Sequence, residues 1–309
     1  MSLARRLLLR ASRSVWLARE LRRRAFLRRA VRRFMPGEDL AAALDAAAGF
    51  GRDGIGAVLT ELGEQVTQAA EAAAVRDRYR DALDRIGQRA LPGHISVKLT
   101  HLGLDVDRDA CLAHLLALAE RAAGAGSFVW IDMEESRYVD VTLELFRRAR
   151  AARDNVGVCL QAYLRRTLED LVSLLPLAPA IRLVKGAYNE PPAVAFARKR
   201  EVDGCYVMLA DRLLQEAARG RARPAFGTHD LRLIAGIRER AAALGTRGGG
   251  DGYEVHMLYG IRAAEQRALA RDGVRVRVLI SYGTHWFPWY MRRLAERPAN
   301  VWFVVRNLL

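Results

Sequence analysis

From residue 54 onward the hydrophobic and polar positions repeat a single rhythm. A short β-rich apolar run is followed by a polar residue or two, and then by a stretch whose apolar positions recur every three or four residues. Strand-like Ile55–Leu62 precedes an Ala-rich helix predicted over 66–87, Ile95–Leu99 a helix over about 107–124, and Phe128–Ile131 one over about 137–152. Val156–Leu160 leads to 165–175, Ile181–Val184 to about 193–219, Ala225–Phe226 to 230–243, Val255–Leu258 to 262–272, and Val276–Ile280 to 284–296. Before this series, after Pro36 and Gly37, Glu38–Ala48 reads as a short amphipathic helix. Eight strand and helix pairs in about 240 residues fit a closed (β/α)₈ barrel, an α/β fold, better than an open doubly wound sheet. No GxGxxG follows the first strand, and Gly248–Gly250 falls in a predicted helix-to-strand loop.

A barrel makes the C-terminal ends of its strands the place to look for chemistry. Lys98, Asp132, Gln161, Lys185, Thr228 with His229, and His256 each lie near such an end, every one on a different predicted strand. The central run, IRLVKGAY over 181–188, places Arg182 and Lys185 within a buried-strand pattern. An isolated buried charge costs several kcal/mol, so these two cations should face an anionic ligand or paired carboxylates. The alternative is an edge strand whose charges are solvated.

Composition changes this picture mainly at the N-terminus. The 309 residues carry a formal charge of +15, yet residues 1–34 alone hold twelve Arg against one acid, Glu20, which leaves +4 for the rest. The body is therefore no broad polyanion surface, and no nucleic acid is expected. Arg interrupts the apolar residues of the arm too often for a secretory signal. Three readings compete for it: a helix lying on an anionic membrane, a transit-peptide-like leader, or a basic structural helix. Cys111, Cys159 and Cys205 are odd in number and widely spaced, which fits reduced thiols; the six histidines show no ligand spacing, so no metal is expected. No apolar run approaches the roughly 20 residues of a membrane span.

Read together, SVKLTHLGLD (96–105), IDMEES (131–136), LQAYLRRT (160–167), RLVKGAYNEP (182–191), FGTHD (226–230), YEVHMLYG (253–260) and WYMRRLAERPANV (289–301) resemble the proline dehydrogenase family. The segments span most of residues 54–309 in order, and the basic arm resembles that of monofunctional bacterial members. The resemblance implies a distorted barrel, 54–309, with its eighth helix across the mouth, behind a helical arm, 1–53. It implies FAD as cofactor and oxidation of L-proline to 1-pyrroline-5-carboxylate by hydride transfer to flavin N5, the first step of proline catabolism to glutamate. Electrons would pass to a membrane quinone, with pyrroline-5-carboxylate dehydrogenase as a pathway partner. The protein would be cytoplasmic and held peripherally at the inner membrane through residues 1–34.

Carried over residue by residue, the resemblance implies that Arg292, Arg293 and Lys98 bind the substrate carboxylate, with Tyr188 beside the substrate. Asp132 would balance these cations, and Arg182 would stabilise reduced flavin. Met133, Gln161, Lys185, Gly186, Ala187, Thr228 and His229 match cofactor contacts. Three positions depart from the family pattern: Leu279 and Trp289 replace tyrosines, and His256 stands where glutamine is common. They keep open a dehydrogenase of hydroxyproline or another cyclic amino acid, and a non-catalytic flavin-binding, membrane-associated protein.

Overall fold

A computed structural model describes residues 31–246, 252–287 and 289–291. Eight parallel strands close into a barrel in chain order: β1 (Gly56–Glu61), β2 (Gly93–Val97), β3 (Val129–Ile131), β4 (Val156–Gln161), β5 (Ala180–Val184), β6 (Arg223–Gly227), β7 (Glu254–Leu258) and β8 (Arg275–Tyr282). Closure comes from β1 pairing with β8, Gly56 opposite Arg277 through Glu61 opposite Tyr282.

Side chains alternate across each strand, and here the two faces differ in kind. Leu59, Ile95, Val97, Val129, Ile131, Val158, Ile181, Leu183, Phe226, Val255, Val276 and Ile280 face outward into one continuous apolar core shared with the helices. The inward set contains only a small apolar cluster, Val58, Trp130, Ala180 and Ala225, against which Phe128 and Leu279 pack. Ser96, Arg182 and His256 occupy the same inner face and are buried. The barrel is thus held from outside by hydrophobic burial, while its lumen carries polar and charged groups.

The helices that supply the outer core are α1 (Leu40–Arg52), α2 (Ala69–Gln88), α3 (Arg108–Gly124), α4 (Val139–Ala152), α5 (Thr167–Leu174), α6 (Lys199–Ala218), α7 (Leu231–Ala243) and α8 (Ala263–Arg271). Their starts follow capping chemistry: Asp39, Asp107 and Asp230 accept from the backbone N–H of Ala42, Ala110 and Arg232. α6 begins at Lys199, later than the apolar pattern predicts. Pro191 and Pro192 impose an irregular segment there, whose Ala195 bridges to Leu164 and whose Phe196 N–H donates to the Tyr163 carbonyl.

α1 packs against β1 and β8, with Ala43, Leu44 and Ala47 in the main core. That is the flank which the helix following β8 takes in a regular barrel. The residue before α1's cap is tied to the opposite end of β8, since Gly283 N–H donates to the Glu38 carbonyl and Trp286 Nε1 donates to Glu38 Oε1 at 2.8 Å. The helical residues that follow β8, described between Trp286 and Met291, therefore start at the C-terminal mouth. No helix of the described residues is long and apolar enough to cross a membrane.

Candidate active site

The C-terminal mouth gathers most of the residues singled out from sequence. Arg182 points up the lumen from β5, 4% exposed, and makes an ion pair with Asp132, the first residue beyond β3. Ser96 of β2 completes the knot: Arg182 Nη2 donates to Ser96 Oγ at 2.8 Å, and Ser96 Oγ donates to Asp132 Oδ1 at 3.0 Å. Below it the Arg182 guanidinium lies 5.3 Å from the centroid of the Trp130 ring. Such a pair persists in a lumen only because the buried guanidinium has a partner; removing Asp132 leaves that charge uncompensated, at a cost of about 3–5 kcal/mol. The guanidinium is still incompletely used, because Nη1 is buried with no hydrogen-bond partner among the described residues. A second buried atom, Gln161 Oε1 at the end of β4, likewise has none, while Gln161 Nε2 donates to the Met133 carbonyl at 3.4 Å. A donor and an acceptor left over on the inner wall suit a flat polar ligand seated at this mouth.

The loop after β5 supplies the next wall. Gly186 adopts φ +109°, and a Cβ there would lie 2.1 Å from the Tyr163 ring, so only glycine permits this approach. Ala187 and Tyr188 follow, both half-buried. The loop is anchored across the mouth by Glu190, which accepts from Ser136 N–H at 2.7 Å and Ser136 Oγ at 2.5 Å. Lys185 is engaged with two carboxylates, Asp203 of α6 at 2.6 Å and the α7 cap Asp230 at 3.4 Å. Two of its three donors thus tie β5 to the helices outside. Thr228 accepts from Asp230 N–H at 3.1 Å, and His229 Nε2 accepts from Leu258 N–H at 2.8 Å, which places the imidazole proton on Nδ1.

Lys98, one residue past β2, is half-buried, and its ammonium lies 3.8 Å from Glu64 of the β1–α2 loop. Lys98, Asp132, Met133, Gln161, Arg182, Lys185, Gly186, Ala187, Tyr188, Thr228 and His229 therefore share one end of the barrel. His256 does not. It sits mid-strand in β7, buried, with Nε2 2.9 Å from Glu254 and its ring edge-on to Trp130, and burial lowers its pKa to about 4. Arg292 and Arg293 lie outside the described residues. Leu279 is half-buried on the inner face opposite Val58, and Trp289 is buried on the segment after β8.

Ser96 and Trp130 lie in the strand segments but carry no site role on sequence grounds, yet each stands two residues before a residue that does, Lys98 and Asp132, and so shares its strand face. Glu134, within IDMEES, is likewise given no role there. Its buried carboxylate accepts from Thr100 N–H at 3.1 Å and Thr100 Oγ1 at 2.6 Å, joining the loops after β2 and β3. Glu64 lies in an irregular loop, where neither period gives a signal.

A family model described as proline dehydrogenase matches residues 43–306. This chain belongs to the proline dehydrogenase family. Proline dehydrogenase 1 of Bacillus subtilis (strain 168) is 37% identical over 278 residues, covering 90% of each chain. The proline dehydrogenase of Deinococcus radiodurans is 37% identical over 282 residues, covering 90% of this chain and 89% of its own. Among solved structures, proline utilization A from Bdellovibrio bacteriovorus, inactivated by N-propargylglycine, superposes with a TM-score of 0.78 at 25% identity over 85% of this chain. The present chain spans only 32% of that protein, so the likeness concerns one part of it. Family membership makes the chain an oxidoreductase on a (β/α)₈ scaffold, and the C-terminal mouth just described is where such a scaffold carries its chemistry.

Proposed function

We propose that the chain oxidises L-proline to 1-pyrroline-5-carboxylate with FAD as cofactor, and that membrane quinone takes the electrons. The observation that carries this reading is the Arg182, Ser96 and Asp132 knot, whose Arg182 Nη1 is buried with no hydrogen-bond partner among the described residues. Bound FAD would supply the two-electron acceptor for the ring carbon beside the substrate nitrogen. Arg182 then presents fixed positive charge where negative charge develops, and Asp132 and Ser96 keep it from turning away. Gln161, Met133, Gly186, Ala187, Thr228 and His229 form the cofactor wall. Lys185 contributes one remaining donor and fixes β5 against α6 and α7.

The substrate carboxylate is assigned to Lys98 with Arg292 and Arg293, since an anion this small needs ammonium or guanidinium partners. Tyr188 would close the pocket beside the ring. The barrel, 54–309, carries catalysis, while the basic arm within 1–53 places it on an anionic inner-membrane surface from the cytoplasmic side. Pyrroline-5-carboxylate dehydrogenase, the enzyme consuming the product, is the pathway partner; nucleic acid is none. Purified protein should be yellow and lose its flavin absorbance under anaerobic L-proline. Arg182→Met should keep the barrel while slowing this bleaching by at least a hundredfold. Protein that cannot be reconstituted with FAD, or flavin indifferent to proline, would defeat the assignment.

A further inference from the structure

The opposite, N-terminal mouth of the barrel is neither filled nor apolar. A cavity of about 140 Å³ opens there between the first residues of several strands. Its size is close to the ~150 Å³ of an engineered cavity that holds benzene. The interior side chains at this level explain the space, because Ala180 and Ala225 stop short of the axis while Phe128, Trp130 and Tyr253 supply flat walls.

The rim is cationic. Arg223, Arg275 and Arg277 line it together with a single carboxylate, Glu254. Glu254 is already committed, with Arg277 Nε at 2.9 Å, His256 Nε2 at 2.9 Å and Arg275 at 3.6 Å. Against the effect of burial, the hydrogen bond with His256 and the charge of Arg277 hold its pKa below the ordinary carboxylate value. His94, which accepts from Trp130 Nε1 at 3.3 Å, is kept neutral by burial and by Arg277. Three permanent cations therefore face one anion, and Arg223 has no carboxylate partner among the described residues. Guanidinium groups are the side chains best shaped to hold a carboxylate by two parallel hydrogen bonds.

We propose that this N-terminal mouth binds a small monocarboxylate with a flat apolar body, its ring against Phe128, Trp130 and Tyr253 and its carboxylate on Arg223 and Arg275. The site lies at the other end of the lumen from the oxidation site, since Ala180, Arg223, Glu254 and Arg275 begin β5, β6, β7 and β8, while Trp130, over which Arg182 lies, is the wall between the two. It does not depend on the flavin assignment.

Sodium benzoate is a suitable probe, titrated calorimetrically into the full-length, flavin-loaded protein at low salt. Saturable binding is expected, weakened at least tenfold in Arg223→Ala and in Arg275→Ala, with kcat/KM for proline unchanged in both. These side chains are exposed, so folding should survive, which an unfolding midpoint checks. Should either variant fail that check, Ala225→Val, which narrows the cavity from within, should exclude the ring by itself. Sulfate at equal concentration should bind more weakly than benzoate. The proposal is overturned by no saturable heat, by sulfate binding as well as benzoate, or by benzoate binding that proline displaces and neither arginine variant alters.

Discussion

A carboxyl group buried at a barrel mouth with only hydroxyl and amide donors in contact resists ionisation, and Glu134 behaves so. Burial pushes its pKa from 4.5 up to about 7, against the Thr100 hydrogen bonds and the charge of Lys98. Between these values the folded protein holds a proton that the unfolded chain has released, so this group's contribution to stability falls as pH rises through the window. Above it the loss levels off at about 3 kcal/mol. Glu134→Gln reproduces the protonated pattern, accepting from Thr100 N–H and donating to Oγ1. The variant should match wild type in urea unfolding at pH 5 and exceed it at pH 8.5; a difference independent of pH would contradict the assigned shift. Leu279 poses a question of specificity at the same scale. It lies on the inner face, whereas Tyr282 belongs to the outer core and Tyr290 packs tilted against Phe34 and edge-on to Trp286, so neither tyrosine fills its place. An apolar recess discriminates weakly, by about 1–3 kcal/mol per methylene. Proline should remain a substrate with trans-4-hydroxyproline disfavoured, and Leu279→Tyr should change the ratio of their kcat/KM values. An unaltered ratio would remove position 279 from the pocket.

At the scale of elements, the junction of β4 and β5 is where backbone geometry matters most. Ala162 N–H donates to the Val184 carbonyl and Tyr163 N–H to that of Lys185, so the ladder continues past both strands and carries the Tyr163 ring onto Gly186. Gly186→Ala combines a left-handed backbone with a Cβ 2.1 Å from that ring. Backbone strain of this kind costs about 1–3 kcal/mol, and displacing the ring adds to it. Gly273→Ala is the control, with φ +79° but open space around its Cβ. The Gly186 variant should have the lower urea midpoint and the weaker flavin retention. Equal losses in the two would show that the approach of Tyr163 contributes nothing. Most element boundaries were legible from periodicity, because outward strand positions are uniformly apolar and the helices bury one stripe. α6 shows where periodicity fails: 193–198 are apolar enough to look helical, but after a single turn onto the Pro191 carbonyl their backbone pairs with Tyr163 and Arg165, a tertiary preference no local pattern contains. The residues gathered at the C-terminal mouth were legible where charge interrupts an apolar run, as at Arg182 and Asp132. They were not legible at Ser96 and Trp130, which look like ordinary strand residues until the lumen brings them to Arg182.

For the whole molecule the proposed placement at the membrane rests on the N-terminal segment. Its last residues are structural, since Val31 and Met35 are 3% exposed, Phe34 meets Tyr290, and a Cβ on Gly260 would overlap the Arg33 carbonyl. α1 then covers β1 and β8, so truncation into this region would strip apolar cover from the barrel itself. The membrane-binding arm of the proposal must therefore be tested by removing residues 1–30 rather than 1–34. Those thirty residues hold ten arginines and one glutamate. Near an anionic bilayer each basic residue contributes about 1 kcal/mol, and the attraction falls off within a Debye length. Full-length protein should co-sediment with vesicles containing anionic lipid at low salt and be released as salt rises. The shortened protein should remain folded, keep its flavin and its proline-dependent bleaching in solution, and stay in the supernatant at every salt concentration. Turnover with a quinone embedded in those vesicles should fall with it, while turnover with a water-soluble dye should not. Undiminished vesicle binding after the deletion would return the arm to a purely structural role and leave the barrel to find its acceptor by other contacts.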